Sequence, residues 1–214
     1  MDLRQVWRSH AGVALILSLC SGIGALDLAV ERLTGQRLAL YAEIDPHASA
    51  VMATHFPGVP NLGDITRADW QAVAEDHPEV TTITAGFPCQ DISSAGTREG
   101  INGKRSGVWK SVADAIRILR PEIAFLENVA AIRTRGLDIV AADLAANGYD
   151  LQWTSLRASD IGAPHRRDRW FGIAIAQNAD RATGQKRRPP APGRTEVRHR
   201  EISGGGGGGA RSHP

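Results

Sequence analysis

The chain has 214 residues, 42% of them hydrophobic and 22% charged, which suffices for one substantial core and favours a single domain. A net charge of +2 permits contact with nucleic acid without requiring it, and no apolar run approaches the roughly 18 residues that a membrane span needs. Two cysteines and the absence of a leader pattern predict a soluble, cytoplasmic protein without disulfides or a membrane partner.

Short apolar runs at residues 13–19, 38–42, 80–85, 123–126, 151–156 and 170–176 alternate with helical patterns. A short further strand is expected just before Asp64. Strands interleaved with helices predict an α/β fold, a mostly parallel sheet with helices on both faces. Asp45 is placed to cap a helix with Pro46 at its first position, and Thr66 with Asp69 has the form of a capping box. The clearest helix is 106–119, where Val108, Val112, Ala115, Ile116 and Leu119 share one face and Pro121 ends the run.

Domain boundaries follow from where this pattern stops. Residues 1–176 read as the folded domain, and 177–214 as a disordered basic tail in which Lys186, Arg187 and Arg188 precede two prolines and six consecutive glycines, Gly204 to Gly209, lie near its end. Such a tail is more often solvated than bound to a polyanion.

The first strand runs into Ser21-Gly22-Ile23-Gly24, where glycines allow a sharp turn and close approach of a ligand to the backbone. A dinucleotide fingerprint asks for a third glycine at the position of Asp27, so a pyrophosphate is disfavoured. Glu43 nevertheless ends the second strand at about the 20-residue offset where an acid binds ribose hydroxyls. Asp64 follows, placed to accept from an adenine amino group. Singly, each acid is more often a cap or a solvated residue. The ordered set favours a nucleoside ligand.

After the strand at 80–85 comes Gly86-Phe87-Pro88-Cys89-Gln90, which places Cys89 on a loop at the carboxyl edge of the sheet. Pro88 fixes its own φ and holds Phe87 extended, aiming the thiol. An isolated cysteine is usually a packing residue, as Cys20 at the end of an apolar strand is expected to be. A cysteine after proline in a polar loop fits a nucleophile better.

These motifs closely resemble those of the DNA cytosine-C5 methyltransferases, in order along residues 13–176. Residues 17–24 resemble that family's S-adenosylmethionine loop, and Glu43 and Asp64 its ribose and adenine acids. The segment from Gly86 to Gln90 resembles its nucleophile motif. Phe125-Leu126-Glu127-Asn128-Val129 is similar to the motif with its catalytic glutamate, and residues 162–169 to its Gln-x-Arg-x-Arg segment, with His165 in place of glutamine. The resemblance implies a Rossmann-like S-adenosylmethionine-dependent methyltransferase fold. It assigns catalysis to Cys89, Glu127 and Arg167, and cofactor contacts to Cys20, Ser21, Gly22, Ile23, Gly24, Glu43, Ile44, Asp64, Ile65 and Pro88. DNA contacts fall to Gln90, Ser93, Arg98, Asn128 and Arg169. No metal is implied, and the product of the donor is S-adenosylhomocysteine.

The family chemistry explains why these side chains are needed. Cytosine C5 is a weak nucleophile until a thiolate, here Cys89, adds to C6. Glu127 would protonate or hydrogen-bond N3, a role that burial in a closed pocket assists. Arg167 would grip the base O2 or a phosphate, while Arg169 would brace the motif through carboxylates. The substrate implied is double-stranded DNA with the cytosine flipped out of the stack. Residues 91–105, rich in Gly and Ser with Arg98, Lys104 and Arg105, suit a loop closing over a polyanion or an ordinary Gly-rich connection.

Neither a target-recognition region nor the family's last two motifs is found after Ala176. The expectation is a catalytic half of the kind found in restriction-modification systems. The alternatives are a weakly active remnant, a split enzyme whose second polypeptide supplies recognition, and an RNA cytosine methyltransferase of the same superfamily.

Overall fold

The computed structural model describes residues 14–88 and 107–177. In chain order these form β1 (Leu15–Leu19), α1 (Ala25–Thr34), β2 (Arg37–Ala42), α2 (Pro46–His55), α3 (Trp70–Asp76), β3 (Val80–Ala85), α4 (Gly107–Leu119) and β4 (Ile123–Val129). A 3-10 turn (Ala130–Thr134), α5 (Leu137–Ala146), β5 (Tyr149–Arg157), a second 3-10 turn (Ala158–Ile161) and β6 (Asp168–Ala176) complete them. The sheet order is β2-β1-β3-β4-β6-β5. The first four strands are parallel neighbours, whereas β6 runs antiparallel to both β4 and β5. The mostly parallel α/β sheet expected from the alternating pattern is therefore present.

Side-chain alternation along the strands splits the core in two. Leu17, Leu19, Ala124 and Leu126 face a cluster containing residues of α3, α4 and α5, among them Trp70, Val112, Ile116 and Val140. Ile16, Ile123 and Phe125 point the other way, onto Val30 of α1 and Met52 of α2. Helices thus cover both faces. In α4, Val112, Ala115 and Ile116 are fully buried, joined by Trp109, whose indole N–H donates to Asp143 of α5 at 2.8 Å.

Three local expectations need correction. No strand forms before Asp64. Only a single parallel bridge joins Tyr41 to Asn61, because Pro60 has no N–H to extend a ladder and Gly63, at φ 71°, turns the chain away. Thr66 and Asp69 do not form a capping box. Asp69 itself caps α3, accepting from the Gln71 and Ala72 amides, while Thr66 bonds back to Asp64. β4 also continues past its apolar run, since Glu127 and Asn128 stay in the ladder opposite Phe171 and Trp170. The cap of α2 is as expected, with Asp45 accepting from the His47 and Ala48 amides beside Pro46.

Candidate functional site

Parallel pairing brings the strand ends to one edge: Leu19 lies opposite Ala42 and Ala85, and Ala85 opposite Leu126. The reversed β6 starts at this same edge, with Arg169 opposite both Val129 and Leu156. Of the described residues expected to act, Cys20 to Gly24, Glu43, Ile44 and Pro88 lie on segments leaving that edge, whereas Glu127, Asn128 and Arg169 stand within the strand ends.

The loop after β1 is shaped by its backbone. Cys20 takes a positive φ of 52°, unusual for a residue with a side chain, and Gly22 follows at 55°. Gly24 must be glycine twice over, because its φ is 80° and a Cβ there would lie 2.7 Å from Phe56 Cε2 and 2.8 Å from Met52 Sδ. A Cβ on Gly22 would meet nothing within 4 Å, so the loop's other side is open.

Glu43 ties this loop to β2. Its carboxylate accepts from the Gly22 amide at 2.7 Å and from the Asp45 amide at 2.8 Å. A carboxylate has about four acceptor sites, so capacity remains for a ligand's hydroxyls. Asn61 fixes Glu43 in turn, accepting from its backbone N–H and donating to its carbonyl, both at 3.0 Å. Sequence reasoning missed Asn61, since an asparagine between Pro60 and Gly63 reads as ordinary turn chemistry. Asp64 Oδ1 accepts from the Thr66 amide and hydroxyl, and these bonds, the backbone one first, hold its carboxyl below the usual range.

Apolar side chains flank the same loops. Ile23 is 57% exposed and Ile44 71% exposed, whereas Ile65 is buried in the core beside Trp70 and leaves only its backbone to a ligand. An open glycine loop, a half-satisfied acid and exposed isoleucines together fit a nucleoside with an amino-acid arm. Among the described residues, no group of three or more His, Cys, Asp or Glu could hold a metal ion.

Gly86 joins the loop after β1 to the end of β4. Its amide donates to the Leu19 carbonyl at 3.1 Å, and a Cβ on it would come within 3.2 Å of the Cys20 carbonyl and 3.8 Å of Glu127 Oε2. The ends of β1, β3 and β4 therefore meet around this residue. Phe87 is buried against Trp109, ring centroids 4.8 Å apart. Pro88 is exposed, and Cys89, Gln90, Ser93 and Arg98 lie outside the described residues, as does the tail from residue 178.

Two assignments change once geometry is considered. Asn128, expected to meet DNA, is 2% exposed. Its amide donates to the Phe87 carbonyl at 2.9 Å and its Oδ1 accepts from the Val129 amide at 2.8 Å, so it faces the protein interior. Arg169 reaches the glutamate, a carboxylate contact of the kind expected of it: its Nε lies 2.8 Å from Glu127 Oε1, both side chains about a quarter exposed. Glu127 is thus paired and partly open, not enclosed as expected. Arg167 is exposed in the connection between the second 3-10 turn and β6.

Arg133, Arg135, Arg157, Arg166 and Arg167 are all exposed around this end of the sheet, against Asp138, Asp160 and Asp168 as the acids of the same segments, Glu127 being paired with Arg169. Arg157 pairs loosely with Asp168 at 3.7 Å. The balance is positive.

Residues 15–202 match the model of the C-5 cytosine-specific DNA methylase family. The chain belongs to that family. It is 37% identical over 139 residues to the Type II methyltransferase M.CviJI of Paramecium bursaria Chlorella virus IL3A, covering 64% of this chain and 37% of that protein. It is 34% identical over 167 residues to the Type II methyltransferase M2.BsuMI of Bacillus subtilis, covering 74% and 41%. The fold is that of the S. pombe Dnmt2 methyltransferase, at a TM-score of 0.65 and 21% identity over 77% of this chain and 51% of that one. This chain spans about half the length of these proteins or less. No described helix is long and apolar enough to cross a membrane.

Proposed function

We propose that this family member carries the catalytic half of a DNA cytosine-C5 methyltransferase, with Cys89 as nucleophile. The observation that carries the reading is the convergence at Gly86, where Glu127 Oε2 faces the turn leading into Pro88 and Cys89 while Oε1 is held by Arg169. When bound, S-adenosylmethionine supplies an electrophilic methyl group. Ser21 to Gly24, Glu43 and Asp64 are the residues that would hold it, with Ile23 and Ile44 flanking the base.

In this reading the Cys89 thiolate forms a bond to cytosine C6 and the displaced electron pair passes toward C5 and N3. Glu127, aimed by Arg169, donates a proton or hydrogen bond at N3. After C5 has taken the methyl group, loss of the C5 proton to a base and breakage of the C6–S bond release Cys89. Access to the ring face requires a flipped-out base. The exposed arginines suit the phosphates of double-stranded DNA, a contact that positions without reading sequence. Base reading is assigned to sequence outside the described residues, on this polypeptide or on a complementing one, which the partial coverage of the relatives supports.

The test is covalent capture. A preparation that methylates DNA, with a complementing polypeptide added if activity requires it, should form an adduct with DNA containing 5-fluorocytosine, because fluorine cannot leave C5 as a proton. Cys89→Ser should form none while still binding S-adenosylhomocysteine. An active preparation that gives no adduct removes Cys89 from this role.

A further inference from the structure

The segment between α2 and α3 is organised around one side chain to which the chemistry above gives no part. Asn61 Oδ1 accepts from the Glu43 amide at 3.0 Å and from the Gly63 amide at 2.9 Å. Its Nδ2 donates to the Glu43 carbonyl at 3.0 Å and to Ser49 Oγ at 3.2 Å, and the Ser49 hydroxyl, from α2, donates to the same Glu43 carbonyl at 3.2 Å. A primary amide has two acceptor sites and two donor protons, so this side chain is saturated. Its oxygen meets only N–H groups and its nitrogen only oxygens, which fixes the orientation of the amide.

The two residues assigned to the nucleoside, Glu43 and Asp64, lie on either side of this hub. Bonds from the Tyr41 amide to the Pro60 carbonyl and from the Leu62 amide to the Tyr41 carbonyl hold the chain against the end of β2 through Leu62. Gly63 comes next at φ 71°, in the left-handed region where a glycine moves most freely, and the bond from its amide to Asn61 holds that turn. Asp64 Oδ1 is occupied by the Thr66 amide and hydroxyl, so Oδ2 is the oxygen left for a ligand. Where Oδ2 stands relative to the Glu43 carboxylate depends on the turn at Gly63. Asn61 grips that turn and both backbone groups of Glu43 at once. It is itself exposed, so its substitution empties no part of the core.

We propose that Asn61 is a positioning residue that sets the spacing between Glu43 and Asp64, and that this spacing makes the pocket select a 6-aminopurine nucleoside. With the ribose anchored on Glu43, a base that carries an N–H at the fixed distance donates to Asp64. A 6-oxo base sets a carbonyl oxygen against the carboxylate instead, and a site built to receive a hydrogen bond rejects a ligand that lacks the donor. This inference rests on reading the loops as an S-adenosylmethionine site.

The test is calorimetric titration of the full chain with S-adenosylhomocysteine and with S-inosylhomocysteine, whose base has a 6-oxo group in place of the 6-amino group, alongside thermal melts. The wild type should prefer the adenosyl compound by about tenfold or more. Two variants are compared with it: Asn61→Ala, and Asn61→Asp, which keeps the accepting oxygen but sets a second oxygen against the Glu43 carbonyl. Each should bind S-adenosylhomocysteine about tenfold more weakly and prefer it by no more than about threefold. Asn61→Ala combined with Asp64→Ala should be no weaker than Asp64→Ala alone, because the group being positioned is already gone. A side chain that only stabilised the fold would lower the melting temperature and leave the preference unchanged. That result overturns the proposal, as do additive losses, undiminished binding, or failure of both variants to fold. If the wild type binds neither compound, the cofactor reading falls and takes this proposal with it. A wild type that binds both equally leaves the cofactor reading standing and removes the base selection alone.

Discussion

The side chain of Asn128 donates to the carbonyl of Phe87, 41 residues earlier in the chain and two before Cys89. In the proposed mechanism a glutamate and its following asparagine on one strand thus have different tasks: one serves the reacting base, the other holds the turn at Phe87 that precedes the nucleophile. Asn128→Ala would leave the buried Phe87 carbonyl unpaired and take the acceptor from the part-buried Val129 amide, at a cost of about 1–3 kcal/mol of stability. Loss of thiol placement would add a rate penalty of up to about a hundredfold. Urea denaturation and single-turnover methylation would measure the two effects. A variant that is destabilised yet fully active would show that the turn holds its shape without this bond.

The pairing of Arg169 with Glu127 separates the two arginines of their motif. Arg169→Ala should slow methyl transfer by about tenfold to a hundredfold, because Glu127 loses the group that orients it. Arg167→Ala should mainly weaken DNA binding and reduce the steepness with which affinity falls as salt is raised. Single-turnover rates and salt-dependent binding isotherms distinguish them. The opposite pattern, with Arg167→Ala losing chemistry and Arg169→Ala losing only affinity, would return the catalytic role to Arg167.

Glu43→Ala and Asp64→Ala should each reduce S-adenosylhomocysteine affinity by about 1–3 kcal/mol. Glu43→Ala has a second effect, since the Gly22 and Asp45 amides lose their acceptor and the loop after β1 loses its tie to β2. Calorimetry reads the affinity and a thermal melt the loosened loop. Unchanged binding in both variants, with the fold intact, would sink the assignment of this pocket.

Asp27, buried in the first turn of α1 and accepting the Thr84 hydroxyl proton, makes stability depend on pH. Its folded pKa is raised above the ordinary 3.8, mainly by burial, so the folded state binds a proton more tightly than the unfolded one. That contribution is fully present below 3.8 and is lost as pH rises through the folded value. Asp27→Asn has no such titration. Its stability relative to wild type should therefore grow as pH rises from acid toward neutral, then level off, in urea midpoints taken at a series of pH values. A difference that does not vary with pH would contradict this.

Local chemistry was legible in the sequence and distant pairing was not. Asp45 and Pro46 announce a helix start because a cap acts on amides two and three residues away. The short apolar runs of β1, β3 and β4 likewise reflect constraints each strand carries within itself. Asn61, Asp27 and Asn128 gain their roles from partners 18, 57 and 41 residues distant, which no spacing rule reveals. The missing strand before Asp64 is a different kind of error. Its residues suit an extended chain, but Pro60 cannot donate to a neighbour and Gly63 bends the path, so a single bridge is all that forms.

The reversed direction of β6 has a consequence for engineering the molecule. Arg169 owes its place to the ladder with Val129 and Leu156, not to the turn that precedes it. Residues inserted near Gly162, an exposed position in the left-handed conformation, should lengthen the turn without moving the guanidinium. Deleting one residue between Arg169 and Ala174 is another matter. Strand side chains alternate faces, so a one-residue slip would send Arg169 to the opposite side of the sheet and pull Trp170 out of the core. The β5–β6 turn is thus a place to graft foreign recognition loops, and β6 itself is not.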